Sequence, residues 1–162
     1  ARTLLSTGAG AAPDSTFMPP ELQRRVGTVD VFTAMPEAVL DVAKADAALS
    51  ARLSGSMASY DWMINGRPFE GTVPLTVGQG QKATLTFTNT TMMWHPMHLH
   101  GHTFQLIKPD GTPGPRKDTV IVLPMQELTV ALVADNPGVW MMHCHNTYHQ
   151  ESGMMTSLNY SP

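Results

Sequence analysis

Seven histidines and a single cysteine are the residues best able to do chemistry here, and they fall into two patches. His95, His98, His100 and His102 lie in "HPMHLHGH", and His143, His145 and His149 surround Cys144 in "HCHNTYH". Imidazole and thiolate are ligands for borderline and soft metal ions, and polar rings are seldom clustered without purpose. Cys144 has no partner for an intrachain disulfide, so a lone thiol among imidazoles reads as a ligand or a nucleophile.

In the second patch His149 follows Cys144 by five residues and Met154 follows it by ten. One thiolate, one imidazole and one thioether on a tight loop make most of a mononuclear blue-copper site, which wants a trigonal Cys and two His with a long, weak axial Met. The second imidazole must come from elsewhere, and His95 in the first patch is the candidate. A covalent copper–thiolate bond carries electrons, and the mixed donors suit both Cu(I) and Cu(II). Zinc is the rival for the same atoms; a CxxC pair or a HExxH helix would favour it, and neither is present.

The remaining histidines form two His-x-His pairs, His98 with His100 and His143 with His145. On an extended segment residues i and i+2 point to the same side, so each pair presents two rings to one spot. Cys144 then points opposite to its two neighbours. The pattern predicts a copper on one side of a strand, coupled through the cysteine backbone to a second metal centre on the other.

These groups need a rigid frame. From Ser59 onward short β-type runs alternate with turn signals such as "NGRP", "GQGQ", "PDGTPGP" and "DNPG". The runs are "YDWMI", "TVPLTV", "ATLTFTN", "TFQLIKP", "DTVIVL", "ELTVALVA", "GVWMMHC" and "MTSLNY". In "ATLTFTN" Leu85 and Phe87 alternate with threonines, and Leu128, Val130 and Leu132 repeat the period-two pattern of half-buried strands. About eight such strands argue an antiparallel sandwich or barrel. Upstream, residues 1–28 read as linker, Val29 to Phe32 as a short strand, and "PEAVLDVAKADAALSARL" as a helix opened by Pro36 and stopped by Gly55.

The chain has 162 residues, 42% of them hydrophobic and 14% charged, which suffices for one well-buried domain and a wrapping segment. A net charge of −3 offers no basic face to nucleic acid, and no apolar run is long enough to span a bilayer. Of the twelve methionines, Met92, Met93, Met97, Met141, Met142, Met154 and Met155 crowd the histidine patches. Core filling explains most of them, although thioether is a soft ligand for copper.

"HPMHLHGHTF" and "HCHNTYHQESGMM" resemble the two C-terminal copper signatures of the multicopper oxidases, the laccase-like family. The likeness extends through "YDWMINGRPF", "PRKDTVIV" and "VADNPGVWMMHCH" and covers roughly residues 60 to 160, most similar to the C-terminal cupredoxin domain of bacterial three-domain members. It implies an all-β, cupredoxin-like Greek-key sandwich over residues 56–162, preceded by an interdomain linker with a short helix over residues 1–55. It makes His95, Cys144 and His149 ligands of a type 1 copper with Met154 axial, His98 a ligand of a type 2 copper, and His100, His143 and His145 ligands of a binuclear type 3 pair. His102 is left as a support behind the ligands or a structural residue, and Met155 is left to packing. Asp118 and Glu151 near the motifs are candidates for substrate or proton handling but read better as salt-bridged surface carboxylates.

The family's trinuclear cluster takes eight histidines, and this chain offers four. The resemblance therefore implies a C-terminal part whose missing ligands come from an N-terminal cupredoxin domain, on the same parent chain or another subunit. The implied activity is oxidation of phenols, aromatic amines or cuprous ions. Electrons enter at the exposed edge of His149 or His95 and pass through Cys144 to His143 and His145, and dioxygen is reduced to water. An isolated cupredoxin holding one copper, acting in electron transfer without oxygen chemistry, is the alternative. Family members are usually exported, so an extracellular, periplasmic or cell-surface location is expected.

Overall fold

The computed structural model describes residues 7–24, 27–40 and 44–161. Its strands are β1 (Ala47–Ser56), β2 (Asp61–Ile64), β3 (Leu75–Gly78), β4 (Lys82–Asn89), β5 (His95–Leu99), β6 (Phe104–Ile107), β7 (Pro113–Lys117), β8 (Thr119–Val122), β9 (Glu127–Val133), β10 (Val139–Cys144) and β11 (Met155–Ser161). One short helix, α1 (Thr147–Glu151), joins β10 to β11. The strands form two sheets, ordered β2-β1-β4-β9-β6-β7 and β3-β11-β10-β5-β8, in the cupredoxin-like sandwich expected. Each of the eight runs singled out in the sequence overlaps one of these strands.

β4 shows why the sheets face each other. Its buried positions alternate strictly, with Ala83, Leu85 and Phe87 inward and the threonines between them half-buried. Those side chains meet Trp62, Phe104, Met97, Leu132 and Leu158 in one core, where each large apolar group contributes about 1.5–3 kcal/mol by leaving water. On the outer side Thr86 and Thr129 pair their hydroxyls across β4 and β9 at 2.9 Å.

Three expectations are corrected. The helix predicted from Pro36 is absent: Pro36–Ala38 is a single 3-10 turn, and Ala47–Ser56 is a strand lying between β2 and β4. Residues 41–43 of that run lie outside the described residues. Alanine favours helix intrinsically, but Ala51 and Leu53 gain full burial by pairing in register with Phe87 and Asn89, and tertiary burial overrides propensity. The sandwich thus takes in residues from Ala47 onward, not from 56. Val29–Val31 is also a 3-10 turn and not a strand. Finally, the sheets are mixed, since β1 runs parallel to β4 and β11 parallel to β3.

The segment before β1 is tied down at one point by a buried side chain. Gln105, on β6, accepts a hydrogen bond from the Leu40 amide at 2.8 Å and donates to the Gly114 carbonyl at 3.0 Å. Among the described residues no helix is long and apolar enough to cross a membrane.

Candidate metal centre

β5 and β10 are neighbours, and their register builds the site. His143 lies opposite His98 and Cys144 opposite Met97, so the first pair shares one face of the sheet and the second pair the other. Met97, Leu99, Met142 and Cys144 all belong to the core, and His95, two residues before Met97, points inward with them. After Cys144 the chain turns through α1, capped by Asn146, whose side chain accepts from the Tyr148 amide. That turn returns His149 to the core side. Its loop is closed by the Met154 amide on the His149 carbonyl at 3.0 Å and the Cys144 amide on the Met154 carbonyl at 3.1 Å.

Three donor atoms consequently converge inside the protein. Nδ1 of His95 and Nδ1 of His149 are 3.1 Å apart, and each is 3.8 Å from Cys144 Sγ. The point equidistant from the corners of such a triangle lies about 2.1 Å from each, close to a metal–imidazole bond and slightly short of a metal–thiolate one. One thiolate and two imidazoles in a trigonal set suit copper, with Met154 fully buried beside them as the thioether of the same loop. Among the described residues this is the one group of three His, Cys or carboxylate side chains whose donor atoms all fall within 4.8 Å of one another.

Burial sets the charge of the group. It pushes the Cys144 thiol up to about 11, against a weaker opposing hydrogen bond from the Asn146 backbone. It also pulls His95 down to about 4, helped by the neighbouring His149, and lowers His149 as well. Without metal the site therefore holds neutral rings and a protonated thiol at neutral pH.

The expected exposed edge for electron entry is not there: His95 is 0% and His149 1% exposed. The indole of Trp62 stacks on His149 with centroids 4.1 Å apart and meets His95 edge-on at 5.3 Å. Tyr60, 39% exposed, stands edge-on to both Trp62 and His149. Trp62 and Tyr60 lie in a stretch quoted for its likeness, but nothing in it marked them as walls of a metal site.

On the other face His98, His100, His143 and His145 form a second cluster. Neighbouring ring centroids are 4.9 to 5.6 Å apart, and the Nε2 atoms of His100 and His143 face each other at 3.0 Å. His98 donates from Nδ1 to the Asp118 carbonyl at 2.7 Å, and His143 from Nδ1 to the Cys144 carbonyl at 3.0 Å. Both bonds leave the Nε2 lone pairs free for a metal. His143 is buried, His98 and His100 are half-buried and His145 is exposed, so this half-ring opens outward.

The accessory residues sort by position. His102 is buried, with Nε2 2.7 Å from the Tyr160 hydroxyl and Nδ1 3.1 Å from the His100 carbonyl, so it braces the turn. Gly101 has φ +67°, and a Cβ there would sit 2.4 Å from the Trp140 ring, which is why only glycine fits between His100 and His102. Met155 pairs with His143 across β11 and β10 and so lies on the cluster side of the sheet, away from Cys144. Asp118 is exposed and lines an open cleft of about 440 Å³ with His98, His102, Arg116 and Asp135, while Glu151 is exposed on α1. Sequence reading passed over Thr91, which contacts His95 from behind, and Asn89, which holds Thr91; both look like ordinary turn residues in "TNTT".

Residues 41–162 match the model of a family described as multicopper oxidase. The chain is 62% identical over 99% of its length to multicopper oxidase MmcO of Mycobacterium tuberculosis, of which it spans 32%. It is 38% identical over 63% of its length to copper resistance protein A of Escherichia coli, of which it spans 17%. The blue copper oxidase of Nitrosomonas europaea shares the fold at a TM-score of 0.63 and 28% identity, over 70% of this chain and 43% of that one. The chain thus covers a third or less of the length of these curated relatives. A family match across three quarters of the sequence and 62% identity to a curated multicopper oxidase, in a chain whose β5 and β10 set a Cys–His triad against a histidine cluster, place it in the multicopper oxidase family.

Proposed function

We propose that the chain is the C-terminal cupredoxin part of a copper-dependent oxidase. In this reading His95, Cys144, His149 and, weakly, Met154 hold a type 1 copper, His98 a type 2 copper, and His100, His143 and His145 a type 3 pair. Copper held by these residues would supply one-electron chemistry, with Cys144 placed between a reductant's side and a cluster side where dioxygen would be reduced. The observation that carries the reading is the buried triangle of two Nδ1 atoms and one Sγ.

The residues of this chain do the positioning. Trp62 and Met154 keep water from the thiolate, both being essentially unexposed. Cys144 joins the two faces covalently through His143 and His145, and the bond from His143 to the Cys144 carbonyl adds a second short connection. The outward-opening half-ring receives the other four histidines from an N-terminal cupredoxin domain of the parent chain or a neighbouring subunit. Residues before Ala47 then serve as the connection from a preceding domain, held over β6 by Gln105.

Substrates are small reductants, phenols and aromatic amines or Cu(I). The name of the copper resistance relative favours Cu(I), as do the exposed Met57, Met92 and Met125. Export to the periplasm, cell surface or medium fits an oxidase of this kind. The test is copper content, visible absorption and oxygen uptake of the full-length protein beside its Cys144→Ser variant. Intense blue colour and turnover that vanish together in the variant support the proposal. A colourless protein, or a variant that keeps both, sinks it.

A further inference from the structure

Behind His95, on the side away from Cys144, lies a closed polar relay. Since Nδ1 of His95 faces Cys144 and His149, the other ring nitrogen, Nε2, is turned to Thr91 Oγ1 at 2.9 Å. A hydroxyl has one proton to give and two lone pairs to accept with. The Thr91 hydroxyl already accepts from the Met93 amide at 3.1 Å. Two acceptors compete for its proton, Asn89 Oδ1 at 2.9 Å and the Met93 carbonyl at 3.1 Å.

Asn89 cannot turn round. It is 2% exposed, and its Nδ2 sits within 2.7, 3.2 and 3.0 Å of the carbonyls of Met93, Val122 and Leu123. Oδ1 must therefore face Thr91, where it also accepts from the Thr91 amide at 2.9 Å. With the hydroxyl proton committed to an oxygen that can only accept, what remains toward His95 is a lone pair. Nε2 must donate.

We infer that Asn89 and Thr91 are positioning residues that hold His95 as its Nε2–H tautomer, so that the Nδ1 lone pair is aimed at the metal before the metal arrives. The inference rests on His95 being a copper ligand, as proposed above, and adds the part of the chain that prepares it. A ring whose remote N–H is hydrogen-bonded is also a stronger donor, and such partners typically change metal affinity 10–100-fold.

The experiment compares Thr91→Val and Thr91→Ser in the full-length, copper-loaded protein. Valine removes the acceptor and leaves a buried N–H unpaired. It is expected to weaken Cu(II) binding by about 10–100-fold, to raise the reduction potential, and to shift the thiolate-to-copper absorption. Serine keeps the hydroxyl and is expected to keep all three near the unmodified values. A valine variant with unchanged affinity and potential overturns the relay, and so does a serine variant that loses as much as valine. Should valine prevent folding, nitrogen NMR of the unmodified, metal-free protein decides. A proton on Nε2 of His95 and none on Nδ1 supports the relay, and the opposite tautomer overturns it. Absence of the thiolate absorption from the unmodified protein would instead remove the copper reading on which the relay depends.

Discussion

His95 and His149 aim their Nδ1 atoms at each other across 3.1 Å, although they are 54 residues apart in the chain. Two ring nitrogens this close share one proton or one metal ion. With the thiol pushed up to about 11 and His95 down to about 4, the proton that copper displaces at neutral pH comes from Cys144. One proton released per copper at this site means that apparent Cu(I) affinity rises about tenfold per pH unit over the neutral range. Competition titrations against a chelator at several pH values check it, and a pH-independent affinity refutes it.

The same burial makes the metal-free protein sensitive to acid. His95, His143 and His149 all titrate below the ordinary histidine value of 6.5, with burial the leading cause in each. The unfolded chain thus takes up protons that the folded chain refuses. Stability is complete above 6.5 and falls as pH drops toward about 4, where His95 protonates in the fold. Cys144 has the reverse sign: its contribution is intact below the ordinary thiol value of 9.0 and is lost as pH climbs through about 11. Urea midpoints of the metal-free protein across these windows should trace both limbs, and a flat acid limb contradicts the burial of these rings.

Trp62 is the largest side chain against the ligands, fully buried and stacked on His149. Trp62→Ala is expected to cost about 3–5 kcal/mol in chemical unfolding. Bound copper should become reachable by added ligands such as azide at the same time. A loss in stability without new access to the metal would mean that the indole supports the core but does not shield the site.

Tyr60 is different, being part-exposed and edge-on to His149. Tyr60→Ala should change stability by less than about 1 kcal/mol while exposing the imidazole. Steady-state kinetics with a bulky phenol and with Cu(I) are expected to show a change in KM for the phenol and little for the ion. Equal effects on both reductants would argue against Tyr60 as the cover over the route to His149.

Gly101→Ala tests the turn between the cluster histidine His100 and its brace His102. The residue sits at φ +67° with the Trp140 ring in the place a methyl would need. Strain of about 1–3 kcal/mol is expected. Because His100 and His102 flank the turn, the half-ring should lose order, read as a shift in Trp140 fluorescence and weaker metal uptake on that face. Copper at Cys144 should be retained, and its loss would show that the two faces do not tolerate damage separately.

Much of this was legible in the linear sequence, for reasons that particular residues make plain. β4 alternates apolar residues with threonines because one side of it faces the core, whereas Val130, Ala131 and Leu132 of β9 are all buried; the His-x-His pairs announce their shared side through the period of β4. β1 was hidden because Ala and Leu favour helix locally, and only the flanking strands reveal the pairing. β7, "PGPRK", reads as a turn, since prolines survive in a sheet chiefly at an edge, and β7 is an edge strand. The candidate ligands stand out because their side chains are chemically rare. Thr91, Asn89, Trp62 and Tyr60 were missed because their types are ordinary and their part in the site comes from packing across distant segments.

β11 has a consequence for biosynthesis. It pairs with β10 along most of its length and with β3 on its far edge, and Met154, just before it, closes the loop that carries His149. During translation Cys144 and His149 leave the ribosome before the strand that pins them. The nascent chain has no finished pocket until residues through Ser161 are free to dock, so the Nδ1 and Sγ atoms converge only once the last strand has been released.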